Sequence, residues 1–249
     1  MSRQGRHGEW KFGEICTGPD ANAEAVVNKA SDDQHGWDHI LEIVPPSSPM
    51  LPADLQAHVL QCFVQIKTTQ GKSPKTRLKL SNAVKAAKSP LPSFVFLLQY
   101  HDRSSRPKIF GRHIWASEIE HWLKRARETE TEGSQDLHKL SATMSFSEAD
   151  CIQQNPVDWV LTILSQHGGE NYAKRKLKLI NSVGYEQYSH EGTVTFGPLD
   201  SAADVVLHEL GLKRDLPFKD LRLYDRRFGI KSMFPVNSFS TGRIRFRKV

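Results

Sequence analysis

Two short stretches hold residues whose types and spacing can do phosphate chemistry. The first is Gly36-Trp37-Asp38-His39-Ile40-Leu41-Glu42-Ile43 and the second is Val64-Gln65-Ile66-Lys67-Thr68. Both read as β-strands, and successive side chains of a strand alternate between its faces. Asp38, Ile40, Glu42 and Val44 therefore share one face of the first strand, and Phe63, Gln65 and Lys67 share one face of the second. If the strands pair with these faces together, Asp38, Glu42, Gln65 and Lys67 converge. Two carboxylates, an amide and a lysine are costly to gather on a sheet surface without partners. A divalent cation supplies one. Mg²⁺ takes hard oxygen ligands and keeps several waters, so the carboxylates of Asp38 and Glu42, with the Gln65 amide oxygen or the Ile66 main-chain carbonyl, suit Mg²⁺ or Mn²⁺. Such an ion polarises a phosphate and lowers the pKa of a bound water. Lys67 beside it would neutralise charge developing on the phosphate oxygens.

The order of a helical Glu, then Gly-Trp-Asp heading a strand, then Gln-x-Lys in the next strand resembles the PD-(D/E)XK, restriction-endonuclease-like nuclease superfamily. The resemblance spans roughly residues 8–128 and looks most like a branch found in prokaryotic antiviral defence systems, where Gln-x-Lys replaces Glu-x-Lys. It implies that Asp38 is the metal-binding acid, that Gln65 stands in the second acid's place, and that Lys67 is the catalytic lysine. A Glu on the first helix completes such sites. At about 100° per residue, Glu9 lies on the Phe12/Cys16 side that should face the sheet, and Glu14 lies nearly opposite. Gln65 departs from the usual acid: a neutral amide binds metal less strongly and is no base, and Glu42 would restore the charge. The resemblance further implies a Mg²⁺-dependent deoxyribonuclease, the effector subunit of an anti-phage system. Its partners would be DNA and other subunits, among them a separately encoded ATPase or helicase; a homo-oligomer is left open. The rival reading is a non-catalytic nucleic-acid- or partner-binding subunit on a decayed nuclease fold.

The elements that must position these residues are α/β in class. Helices are expected over Glu9–Cys16, Ala21–Ala30, Leu80–Lys88, Ala116–Glu128, Pro156–His167 and Ala202–Leu210. Their apolar residues follow the helical period. Strands are expected over His39–Val44, Leu60–Thr69, Ser93–Tyr100, Lys108–Arg112, Gly192–Phe196, Leu221–Phe228 and Arg243–Val249. The architecture expected is a restriction-endonuclease-like mixed sheet flanked by helices, over residues 1–130, with a smaller C-terminal α+β domain over 135–249 for substrate or partner. The polar stretch Thr129–Ser134 reads as the linker between them.

Composition narrows the classes. The chain has 249 residues, 38% of them hydrophobic and 25% charged, so it is neither disordered nor fibrous. No stretch reaches the roughly 18 apolar residues of a membrane span, and the polar start has no apolar signal core, so no membrane partner is expected. Three widely spaced cysteines read as reduced thiols, which fits a cytoplasmic protein. No Gly-x-x-x-x-Gly-Lys-Ser/Thr occurs, so ATP hydrolysis would belong to a partner. The net charge is +6, and it is uneven: no acid lies between Asp54 and Asp102, a window holding Lys67, Lys72, Lys75, Arg77, Lys79, Lys85 and Lys88. This points to a polyanion. Lys72, Lys75, Arg77 and Lys79 are candidate nucleic-acid contacts, as are Lys174 and Arg175. The last two fit equally the solvated side of a helix whose apolar side is Tyr172, Leu177 and Ile180.

Overall fold

A computed structural model describes residues 3–30, 36–102, 106–133, 136–185, 189–196, 203–210 and 215–245. The chain divides into two compact units, Met1–Ala126 with Gln135–Asn181, and Arg127–Ser134 with Ser182–Val249. Residues 135–181, expected in a C-terminal domain, thus pack with the first unit.

The first unit is mixed α/β. Its elements run α1 (Arg3–Cys16), β1 (Glu24–Lys29), β2 (His39–Val44), β3 (Leu60–Thr69), β4 (Lys75–Lys79), α2 (Leu80–Lys88), β5 (Ser93–Gln99), β6 (Lys108–His113), α3 (Ala116–Thr131), β7 (Ser141–Ser145), α4 (Pro156–Gln166) and α5 (Tyr172–Ser182). Five strands form one sheet in the order β1-β2-β3-β5-β6. The β3/β5 pair is parallel and the other three are antiparallel. β4 and β7 form a separate two-stranded ribbon.

Two stretches differ from expectation. Residues 21–30, read as helical for their alanines, hold β1, which pairs along its whole length with β2. Helix propensity is a weak prior against such a partner, and Val26-Val27 favours a pleat. The expected linker is in part helix: α3 continues to Thr131, and Thr129 is buried.

One face of the sheet carries Leu41, Ile43, Cys62, Val64, Ile66, Phe94, Phe96 and Leu98. It is covered by Phe12 and Cys16 of α1 and by Val157, Val160 and Leu164 of α4. α4 starts at Asn155, whose side chain accepts the Val157 N–H at 2.9 Å, with Pro156 in the first turn. Gly111 lets α4 approach, since a Cβ there would meet Ile152 and Trp159 within 3 Å. Buried α2 and α3 residues (Ala83, Ala87, Ile119 and Trp122) supply further core.

In the second unit β9 (Leu216–Arg227) is central. β8 (His190–Phe196) pairs with it, and so do β10 (Ile230–Lys231), β11 (Asn237–Phe239) and β12 (Gly242–Ile244), all antiparallel. A short helix, α6 (Ala203–Glu209), precedes β9. The β9/β10 turn places Phe228 and Gly229 in the left-handed region, φ 57° and 72°. Gly184 accepts the Phe228 N–H, and a Cβ at Gly184 would strike the Phe228 ring at 2.5 Å. The expected strand over Arg243–Val249 is described only as Gly242–Ile244, and residues 246–249 lie outside the described residues.

Candidate functional site

Asp38 sits where β2 begins. Gly36 turns the chain with φ 83°, and a Cβ there would lie 2.4 Å from the Asn82 side chain of α2. Trp37 stacks on Phe63 of β3, ring centroids 5.0 Å apart and 11° from parallel. The Asp38 N–H then donates to Val64 on β3 at 2.9 Å, while its carbonyl accepts from Ala30, next to β1, at 3.0 Å. The main chain at Asp38 is thus shared between two neighbouring strands. Its carboxylate takes over the strand's pairing: Oδ2 accepts the Ile66 N–H at 2.6 Å. A charged acceptor makes that a strong hydrogen bond.

The register completes the cluster. His39 lies opposite Val64, so the next position back sets Asp38 opposite Gln65, and alternation sets Lys67 on the same face. Lys67 Nζ is 4.0 Å from Asp38 Oδ2. Asp38 and Gln65 are buried, at 6% and 8% exposure, while the Lys67 side chain is 28% exposed. A strand residue's N–H and C=O point to the same side, so the Ile66 carbonyl follows its N–H toward Asp38. Asp38, Gln65 and Lys67 therefore share one face, as the alternation predicted, and the Ile66 main chain meets Asp38 beside them.

Two expected members fall elsewhere. Glu42 shares the face but lies opposite Gln61, whose amide donates to it at 2.7 Å. Four residues along a strand separate it from Asp38 by about 13 Å, so it does not restore the charge missing at Gln65. Period-2 alternation gives the face and leaves position along the strand open. Glu9 is buried at 4%, as its helical phase required, but on the other face of the sheet, with His39 and Lys29. Lys29 Nζ forms an ion pair with Glu9 Oε2 at 3.0 Å. Among the described residues, neither ring nitrogen of buried His39 has a hydrogen-bond partner. Burial lowers the His39 pKa, with Glu9 opposing and Lys29 adding to the shift. Glu9 is thus tied to Lys29, away from Lys67.

The cationic candidates separate into two places. Lys72 lies in the β3/β4 turn, which Gln99 holds by donating to the Gly71 carbonyl at 2.8 Å and the Lys72 carbonyl at 3.2 Å. Lys75, Arg77 and Lys79 are exposed on β4. Lys174 and Arg175 are exposed on α5, which docks beside the start of β5. There fully buried Lys176 donates to the Ala86 and Leu91 carbonyls at 3.2 and 3.0 Å. The buried stripe of α5 is Tyr172, Lys176 and Ile180, and Leu177, expected on it, is 43% exposed.

A cavity of about 510 Å³ adjoins the cluster, lined by Trp37, Phe63, Gln65, Lys85, Val95 and Trp122 among others. Trp37 was missed as a positioning residue, although an aromatic directly before the candidate acid was a signal to find it. Among the described residues no three His, Cys, Asp or Glu side chains gather as a metal site, so any cation here rests on one carboxylate and neutral oxygens. Comparison with protein-family models, curated proteins and solved structures finds no match for this chain.

Proposed function

We propose that this chain is a metal-dependent nuclease that hydrolyses DNA phosphodiester bonds, acting as the effector subunit of a prokaryotic anti-phage system alongside a separate ATPase or helicase. One observation supports it above the others. A buried carboxylate, Asp38, is bonded to the Ile66 N–H at 2.6 Å, sits 4.0 Å from a partly exposed lysine, and has Gln65 across from it. Mg²⁺ commonly binds through one or two carboxylates plus waters and substrate phosphates, so Asp38 with the Gln65 amide oxygen and the Ile66 carbonyl is a sufficient donor set. A cation held there would supply Lewis-acid activation of the phosphate and of a water. Lys67 reaches solvent from the cluster and presents its ammonium to a phosphate oxygen as negative charge builds up. The Ile66 N–H holds the Asp38 carboxylate in one orientation, and Trp37 stacked on Phe63 holds the main chain that carries it.

The test is cleavage of supercoiled and linear DNA with Mg²⁺ or Mn²⁺, comparing wild type with Lys67→Ala and Asp38→Asn. Asn keeps an oxygen for the Ile66 N–H and removes the charge. Metal-dependent cutting should fall by roughly 10²–10³-fold in each variant. Cutting that survives both substitutions rejects the site.

The neutral Gln65 and the displaced Glu42 favour one rival, a nucleic-acid- or partner-binding subunit on a decayed nuclease fold. That subunit would bind DNA with strong salt dependence and never cut it, and Lys67→Ala would change its affinity little.

A further inference from the structure

The ribbon of β4 and β7 presents a face that neither strand announces alone. On β4, Lys75, Arg77 and Lys79 are exposed and alternate with Leu78, which is 2% exposed. On β7, Ser141, Thr143 and Ser145 are exposed and alternate with buried Ala142 and Met144. The register sets Lys75 opposite Ser145, Arg77 opposite Thr143 and Lys79 opposite Ser141. Each rung of the outer face thus joins a cation to a hydroxyl, three times over. Among the described residues no carboxylate pairs with Lys75, Arg77 or Lys79.

From this juxtaposition we infer that the outer face of the β4/β7 ribbon is a binding surface for the sugar-phosphate backbone of duplex DNA. Lys75, Arg77 and Lys79 neutralise phosphates, and Ser141, Thr143 and Ser145 donate hydrogen bonds beside them. The lengths agree. Lys75 to Lys79 spans about 13 Å of strand, and one strand of a duplex carries a charge every ~3.4 Å of axis. The three cations are thus spread over about four phosphate-to-phosphate steps of one DNA strand. The contacts are to the backbone, so they position DNA without reading its sequence. The buried side of the ribbon fixes the strands that carry the array. The ribbon follows β3 after a five-residue turn, which Gln99 ties to β5. The inference deepens the nuclease reading by naming how its substrate is held, and it does not require that the chain cut.

The experiment measures affinity of the full chain for a fluorescent duplex, without divalent metal, over a series of salt concentrations. Three variants stand beside wild type: Lys75→Ser/Arg77→Ser/Lys79→Ser, the charge-matched Lys11→Ser/Lys124→Ser/Lys219→Ser, and Thr143→Glu. Each phosphate contact contributes about 0.9 to the slope of log affinity against log salt on duplex DNA and about 0.7 on a single strand. The ribbon triple variant should lose about 2.7 of the duplex slope and bind at least tenfold more weakly near 0.1 M salt. The charge-matched variant should lose less than one unit. Thr143→Glu sets a carboxylate opposite Arg77 with every cation retained, and it should weaken binding as well. An unchanged slope in the ribbon variant, an equal loss in the charge-matched one, or no duplex binding by wild type at low salt overturns the inference. A loss seen on single strands and not on duplex overturns it too. Binding through the ribbon with no cutting under any metal leaves this inference standing and sinks the nuclease reading. Cutting with ribbon-independent binding does the reverse.

Discussion

Lys176 has no exposed surface and, among the described residues, no carboxylate partner, and it donates to two carbonyls, Ala86 in the last turns of α2 and Leu91 just beyond. Those carbonyls have no helical partner of their own, and a cation there suits the negative end of the helix. Burial nonetheless disfavours the charge and lowers the pKa from 10.5 to about 7. The folded chain releases this proton near pH 7, while the unfolded chain holds it to 10.5. Between those values the unfolded state binds more protons, so stability rises with pH; below pH 7 both states are charged and the full burial penalty applies. Denaturant melts from pH 6 to 10 should therefore show a stability gain in wild type that shrinks in Lys176→Met. The difference would be on the order of 4 kcal/mol at most. An identical pH dependence in the two proteins would mean that Lys176 does not change its charge in that window. Nothing in the sequence sets Lys176 apart from its basic neighbours, because a helical wheel gives a residue's phase and not whether carbonyl groups await it.

Gly36 joins two elements. Its φ of 83° is left-handed, and its missing Cβ leaves room for Asn82 of α2. Gly36→Ala should lose about 1–2 kcal/mol from the backbone alone, and more from the contact. It should also lower cutting more than stability explains, since Trp37 and Asp38 follow directly. Thermal melts beside cleavage rates measure both, and a variant as stable and as active as wild type would show that the turn is not needed. At this scale β2, β3 and β5 were legible because each is a strand-length apolar run bounded by Pro, Gly or polar residues. Asp38, Gln65 and Lys67 were legible for the same reason, since alternation on strands that pair gives their shared face. β1 was not, because its alanines suit a helix until β2 is beside it. β4 and β7 were not, because Lys-Thr-Arg-Leu-Lys and Ser-Ala-Thr-Met-Ser bury only one side of a ribbon whose halves lie far apart in the chain. The positions of Glu42 and Glu9 needed the register and the helix docking, which no local pattern holds.

Over the whole molecule, residues 135–181 return to the unit that the chain left at Ala126. Their removal would strip Val157, Val160 and Leu164 from the core and β7 from β4. Three such side chains contribute roughly 1.5–3 kcal/mol each, which rivals the 5–15 kcal/mol that holds a typical domain together. A chain ending at Gly133 should show no cooperative melt, whereas one ending at Asn181 should melt cooperatively. Far-UV circular dichroism on heating separates the two, and a cooperative melt from the shorter chain would mean that the first 133 residues suffice. The linker expected at Thr129–Ser134 was read from composition. Composition marks where a chain is polar, and the pairing that brings β7 back to β4 is not a property of those residues.

The same return sets an order of events during synthesis. Lys75 pairs with Ser145, 70 residues later (145 − 75). At about 5–20 residues per second, the ribosome takes roughly 4–14 s to make that interval. Throughout it β4 has no partner strand, and its edge offers unpaired amides and carbonyls beside three positive charges. Charge on an open edge opposes pairing with other chains. The cations assigned here to DNA would thus serve first as a guard on a nascent strand, during the seconds before β7 arrives to cover it.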